Sequence, residues 1–339
     1  MPAILLTFNP AARALYYGDT ALAALGELGE LRLHEQDEAL SGDALIAAAA
    51  GCQAMVIDRQ TAAPAALFAS SPELAVVLRC AMDIRNIDVA AASAAGVLVT
   101  RASAGFGTAV AEWVLGVMVD LSRGISRSVR AYHRGEQPPV RMGRELRGAQ
   151  LGIIGYGHIG RRVGALALAL GMHVSCSDPN VQTDEPGVRR MSLDELLSSA
   201  DFVLCLATAT PQTENLMAAA QFARMKPAAF FINASRGNLV DEAALLAALD
   251  SGRLAGCALD VGRAPDQMPS SALARHPLVI ATPHIGGLTP AATEHQALET
   301  VSQLTGLMCG DVPAGAVNAG HARRLATLRA VALRPGQTR

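Results

Sequence analysis

The sequence predicts an α/β protein of two Rossmann-like domains, with a doubly wound parallel-sheet domain inserted in a smaller sheet domain. Three observations carry this. Short apolar runs recur at spacings of about 20 residues with room for a helix between them, which is the pattern of βα units and a parallel sheet. The runs form two series separated by a long helical pattern. After the second series the chain returns to a helix and a short extended segment that suit the first domain, so the smaller domain is expected to be discontinuous.

In chain order, the first series is AILLTF, LRLHE, AMVID, LAVVLRC and VLVT. From Thr108 the stretch TAVAEWVLGVMVDLSRGISRSVRAYH carries apolar residues at helical spacing without proline, and is expected to be one long helix joining the domains. The following RGEQPPVRMGRELRG is polar, with two prolines and three glycines, and reads as a loop. The second series is LGIIGY, MHVSCSD, FVLCLAT, AFFINAS, LAGCALDV and LVIAT, six strands that suit a full doubly wound sheet. Beyond His284, TPAATEHQALETVSQLTGLMCG is helical in pattern and VPAGAVN is placed to pair back with the first domain. The expected boundaries are 1–103 with 285–320 for the smaller domain, 104–284 for the inserted one, and 321–339 for a weakly ordered basic tail.

A chain of 339 residues suits two domains of common size, and 51% hydrophobic with 17% charged residues allows large cores. No stretch approaches the roughly 18–20 uninterrupted apolar residues of a membrane span. MPAILLTFNP lacks a basic n-region and reads as a first strand, not a signal peptide, so a cytoplasmic location is expected. The six cysteines form no CxxC pair and no metal-ligand spacing; reduced thiols are expected, with no disulfide and no metal. A net charge of -2 offers no broad cationic surface for nucleic acid. Lys226 is the only lysine, which nearly removes lysine nucleophiles and Schiff-base chemistry.

Gly155-Tyr156-Gly157-His158-Ile159-Gly160 follows an apolar strand directly and opens a helix. In that context Gly155 permits the tight turn, Gly157 lets a pyrophosphate approach the backbone, and Gly160 allows close helix–strand packing. The helix N-terminus then receives the phosphate charge. Asp178, 18 residues after Gly160 at the end of the next strand, is placed to bind both ribose hydroxyls. A carboxylate there repels a 2′-phosphate, so NAD is expected over NADP.

Three polar groups stand at later strand ends: Arg236 in INASRG, Asp260 in CALDV and His284 in TPHIGG. Open α/β sheets bind ligands at the C-terminal ends of their strands. An arginine fork matches the carboxylate of a 2-oxo acid, and a histidine can supply a proton to its carbonyl oxygen.

From about Ala54 to Asn318 the sequence resembles the D-isomer-specific 2-hydroxyacid dehydrogenase family. The resemblance rests on Asn86-Ile87-Asp88, Val110-Ala111-Glu112, LGIIGYGHIG, Asp178-Pro179, Met225-Lys226-Pro227, INASRG with Val240-Asp241-Glu242, LDV at 259–261, and TPHIGG. It implies a flavodoxin-like substrate domain around the NAD-binding one, and a homodimer with the helix from Thr108 at its interface. It implies that Arg236 binds the substrate carboxylate, His284 is the acid/base, Asp260 lies by the nicotinamide and Ala234, Ser235 and Arg236 line the cofactor. Thr208, on the fourth strand's loop, and Gly286 and Gly287 complete the expected cofactor contacts.

The chain departs from the family pattern in places that bear on chemistry. The family glutamate that supports the histidine is missing: five residues past Asp260 stands Pro265. Asp266 is one residue further on and is the candidate replacement; a histidine acting unaided, and lost activity, are the other readings. The family's glycine-rich substrate loop becomes Cys80-Ala81-Met82-Asp83. Asp83 is open to three readings: recognition of an amino, hydroxyl or cationic part of a substrate, a pair with Arg101, or simple exposure. The leading functional expectation is an NAD-dependent reduction of a 2-oxo acid, or its reverse. The alternative is an NAD(H)-sensing binding protein of the same fold with little or no catalysis.

Overall fold

The computed structural model describes residues 1–181 and 185–332, without the side chain of Asp266. The chain forms two units, Met1–Gly105 with Thr289–Arg339, and Phe106–Leu288.

The first unit holds five parallel strands, β1 (Ala3–Leu6), β2 (Glu30–Leu33), β3 (Ala54–Ile57), β4 (Val76–Arg79) and β5 (Leu98–Arg101), in the order β2-β1-β3-β4-β5. This is the flavodoxin-like order. Every residue of β1, β3 and β4 is buried, because helices cover both faces of the sheet. Successive side chains feed opposite cores: Ile4, Leu6, Val56, Val76 and Leu78 on one face, Leu5, Met55, Ile57 and Val77 on the other. The first of these cores is completed from far along the chain, by Ala297, Leu304 and Leu307 of the helix Pro290–Cys309 and by Leu325 and Leu328. VPAGAVN does pair back: Ala316 bridges Thr100, Val317 N–H donates to Val99 O, and Asn318 Oδ1 accepts from Val99 N–H at 2.8 Å.

The basic tail needs correction. Leu325–Ala332 is a helix with Leu325 and Leu328 buried, and its one arginine donates to carbonyls, as does the arginine just before it: Arg329 to Leu307 and Gly310, Arg324 to Ser71 and Leu74. Leucines three apart seat one face while the guanidinium groups satisfy backbone ends. Residues 333–339 of the expected tail lie outside the described residues.

The second unit holds seven parallel strands, β6 (Gln150–Ile154), β7 (His173–Ser177), β8 (Val188–Arg190), β9 (Phe202–Cys205), β10 (Ala229–Asn233), β11 (Leu254–Leu259) and β12 (Val279–Ala281), in the order β12-β11-β10-β9-β6-β7-β8. It is the doubly wound order with one further strand at β12. Six strands match the sequence expectation; β8, with the sequence VRR, does not appear in it. It is a short charged edge strand with no apolar run to announce it.

The long helix also needs correction. It breaks into Gly107–Arg123 and Ile125–His133 at Gly124, which adopts φ 66° and donates to Asp120 O. A left-handed glycine ends a helix even where apolar periodicity runs on. Between His133 and Gln150 there is neither helix nor strand, as the prolines and glycines there require. Trp113 packs against the core beneath the first of these helices.

Candidate active site

In the second unit the residues singled out from sequence lie along one rim, the C-terminal edge of the parallel sheet. The glycine turn follows β6, Asp178 follows β7, Thr208 lies beyond β9, Arg236 beyond β10, Asp260 directly after β11 and His284 beyond β12. Since β12, β11, β10, β9, β6 and β7 are consecutive neighbours, the topology brings these six positions into one row.

The three glycines have different reasons to be there. Gly155 sits at φ 90°, and a Cβ on it would stand 2.5 Å from the Ala207 backbone nitrogen. A Cβ on Gly160 would stand 2.7 Å from Gly155 O. Around Gly157, by contrast, a Cβ would meet nothing within 4 Å. Two glycines are thus demanded by packing, and the third borders open space where a phosphate group fits against the backbone. Gly157 is also the N-cap of the helix His158–Ala169, and no side chain caps it. A helix start without a side-chain cap has N–H groups for an anion to accept from. His158 is exposed, Ile159 packs partly into the core, and Gly160 is buried.

Asp178 is half-buried and accepts from Tyr156 N–H at 2.8 Å through one oxygen and from Asn180 N–H at 2.8 Å through the other. It ties the glycine turn to the end of β7, a structural task that its position in the sequence does not disclose. Carboxylate oxygens each take more than one donor, so ribose hydroxyls are compatible with these bonds.

Asn233, buried at the end of β10, shapes the next segment: its Nδ2 donates to Arg236 O and its Oδ1 accepts from Ser235 N–H. Ser235 Oγ donates to Ala207 O at 2.7 Å, joining the loops after β9 and β10. Arg236 Nη1 donates to Ser235 O at 2.7 Å, and Ala234, Ser235 and Arg236 are all half-buried. Thr208 is exposed, its carbonyl accepting from Thr213 Oγ1.

Asp260, only 4% exposed, has a role that sequence reasoning missed. Its Oδ1 accepts from Thr282 Oγ1 at 2.6 Å and Ile285 N–H at 2.8 Å, and its Oδ2 from Gly286 N–H at 2.7 Å. These bonds clamp the loop on both sides of His284, whose φ of 57° is left-handed. Such backbone costs a non-glycine residue about 1 kcal/mol or more and persists only where its surroundings enforce it. Gly286 allows the clamp, since a Cβ there would stand 2.7 Å from Asp260 Oδ2; a Cβ on Gly287 would press on Phe106. Asp266 lies in the 3-10 turn Pro265–Gln267, and its side chain lies outside the described residues.

The first unit carries Ala81, Met82 and Asp83 beyond β4. Buried Arg79 donates to Asp83 O at 2.9 Å and Ile57 O at 3.2 Å, fixing that loop from below. The Asp83 carboxylate takes Arg85 in a two-point pair, Oδ1 with Nε at 3.0 Å and Oδ2 with Nη2 at 2.6 Å. Arg85 is a partner two residues away that no motif pointed to. In the same unit Ser103 Oγ meets His295 Nε2 at 3.0 Å and donates to Glu299 Oε2 at 2.6 Å.

Residues 115–286, just over half the chain, match the family described as D-isomer specific 2-hydroxyacid dehydrogenase, NAD binding domain. The chain belongs to that family. Its inserted unit is accordingly an NAD-binding domain, in agreement with the glycine turn and Asp178. D-3-phosphoglycerate dehydrogenase of Mycobacterium leprae (strain TN) is 33% identical over 305 residues, 88% of this chain and 57% of that protein. The chain thus spans about half the length of the curated relatives it matches. Among solved structures, a protein of Thermus thermophilus is 28% identical with a TM-score of 0.82, covering 93% of this chain and 99% of that one. A Polaromonas sp. JS6 66 protein assigned to the D-isomer specific 2-hydroxyacid dehydrogenases shares the fold, with a TM-score of 0.86 at 24% identity over 94% of this chain and 99% of that one.

Burial pushes the Cys205 thiol up to about 12, and raises Cys257 as well, which disfavours the reactive thiolate at both. Among the described residues no three His, Cys, Asp or Glu side chains gather as a metal site, and no helix is long and apolar enough to cross a membrane.

Proposed function

We propose that this family member interconverts a 2-oxo acid and a D-2-hydroxy acid with NAD. The observation that supports this most is the row formed by the glycine turn, Arg236 and His284 on one sheet edge, with His284 clamped in a left-handed conformation by Asp260. Strain kept at a strand-end histidine is better suited to chemistry than to packing. NAD, when bound, supplies or takes the hydride. Arg236 pairs with the substrate carboxylate and so orients the adjoining carbonyl. His284 gives a proton to the carbonyl oxygen in reduction and removes it from the hydroxyl in oxidation. Ala81, Met82 and Asp83 are proposed to select the substrate.

Asp266 is proposed to replace the family glutamate by holding the His284 imidazole and favouring its protonated form. Asp266→Asn should then move the acid/base limb of the pH–rate profile; a profile that does not move removes Asp266 from this role.

The test is NADH oxidation across glyoxylate, hydroxypyruvate, pyruvate, phenylpyruvate and 2-oxo-dicarboxylates, with D-3-phosphoglycerate in the reverse direction because the Mycobacterium leprae relative is named for it. Turnover that His284→Ala lowers by about a hundredfold supports general acid catalysis. Tight NADH binding without turnover favours the sensing protein. A homodimer belongs to the same proposal, supported by exposed Ile125, Val129 and Tyr132 at helical spacing and by fully exposed Val140 and Met142. Light scattering at micromolar concentration tests it.

A further inference from the structure

The surroundings of Asp178 carry more charge than one ribose-binding carboxylate explains. Tyr156, between the first two glycines, is fully buried, and its hydroxyl donates to Glu185 Oε2 at 2.7 Å. Glu185 also pairs with Arg161, in the first turn of the helix that the glycines open. The Arg161 guanidinium lies over the Tyr156 ring, 5.2 Å from its centre. Gly164 leaves room for this arrangement, because a Cβ there would stand 2.9 Å from the tyrosine hydroxyl oxygen. Asp178 joins the group through Tyr156 N–H. On the adjacent strand Arg190 is in register with Cys176, two residues before Asp178, and so points to the same side of the sheet. The Cys176 thiol reports the same cluster: burial raises it, Asp178 and Glu185 add to the rise, and Arg190 and Arg161 oppose it.

A cofactor with a 2′-phosphate is recognised by arginine near the ribose and repelled by a carboxylate there. This neighbourhood contains both elements, Arg161 and Arg190 beside Asp178 and Glu185. We infer that Glu185 is a second determinant of NAD over NADP: it holds Arg161 over the Tyr156 ring and withholds a guanidinium that a 2′-phosphate would otherwise engage. The inference rests on the NAD assignment made through the glycine turn and Asp178. It adds that the discrimination is shared between two acids on different elements, one repelling the phosphate and one occupying its receptor.

The experiment measures NADH and NADPH affinity of the full chain by fluorescence titration, so it needs no turnover. Glu185→Gln should shift the affinity ratio toward NADPH by about tenfold, the size of one added charge-assisted hydrogen bond. Adding Arg161→Gln to that variant should return the ratio to its starting value. Glu185→Ala, checked with its melting curve, serves the same purpose if the glutamine variant folds poorly. A folded Glu185 variant with an unmoved ratio overturns the inference, and so does a shift that survives the loss of Arg161. Arg161→Gln alone lowering NADPH affinity would overturn it too, since Arg161 would then already serve the phosphate. Asp178→Ala in parallel separates the two levels: if it leaves NADH affinity intact, the NAD assignment itself has failed.

Discussion

Asp260→Asn tests whether one buried carboxylate shapes the loop that carries His284. Three donors converge on its two oxygens, Thr282 Oγ1, Ile285 N–H and Gly286 N–H. Asparagine keeps the size but turns one acceptor into an NH2 group, so whichever way the amide lies at least one donor faces another donor. Hydrogen bonds to charged groups contribute about 1.5–3 kcal/mol, and an unsatisfied buried donor costs about 1–3 kcal/mol. A net loss of about 2–3 kcal/mol follows for Asn, and a larger one for Ala, which removes all three acceptor contacts. At roughly 2–4 °C per kcal/mol for a unit of this size, Asn lowers the melting temperature by about 5–10 °C. Calorimetry or circular dichroism reads this directly. If the substrate reaction is detected, kcat should fall more than KM rises, because the relaxed loop misplaces the proton donor. An Asn variant melting within about 1 °C of the native protein would refute the clamp.

Three further outcomes can be checked. Gly157→Ala should melt like the native protein yet lose most of its NADH affinity, whereas Gly155→Ala should lose stability, since only the latter drives a Cβ into backbone and strains a positive φ; similar melting for both rejects the distinction. In the native state at pH 8 a thiol reagent should modify only Cys309, which is exposed, and all six cysteines in denaturant; a second rapidly reacting native thiol contradicts the burial of the other five. Burial alone would raise Asp201, but the Gln150 N–H and the ammonium of Lys226 outweigh it and hold the carboxyl below its ordinary value. Its contribution is therefore complete above the unfolded value near about 4 and is lost as pH falls through the folded one. Melting temperature should fall less steeply between about pH 5 and 3 in Asp201→Asn than in the native protein, and parallel curves would refute this.

Much of the fold was legible because parallel strands covered on both faces are written as unbroken apolar runs. What escaped was governed by other physics. β8 is a charged edge strand and carries no such run. Gly124 stops a helix whose periodicity continues past it. The helix Leu325–Ala332 hid among arginines, although Leu325 and Leu328 are spaced to bury one face. At the candidate site, the glycine turn was readable because its demands are made by backbone geometry. Arg236, Asp260 and His284 were readable as positions, each following a strand. The task of Asp260 was not, since its donors arrive 22 to 26 residues later and only the closed sheet brings them together. The Glu185–Tyr156 bond spans 29 residues and left no local signature.

The split construction of the first unit sets an order of assembly on the ribosome. Its opening five strands emerge first, with Phe8, Tyr17, Ala21 and Leu25 covering part of one face, but that cover is completed only by Ala297, Leu304, Leu307, Leu325 and Leu328. The inserted unit is contiguous from Phe106 to Leu288 and has every residue it needs while that face is still only partly covered. The part of the chain made first is therefore finished last, and until then one face of its sheet has only part of its apolar cover, a form that a chaperone would recognise.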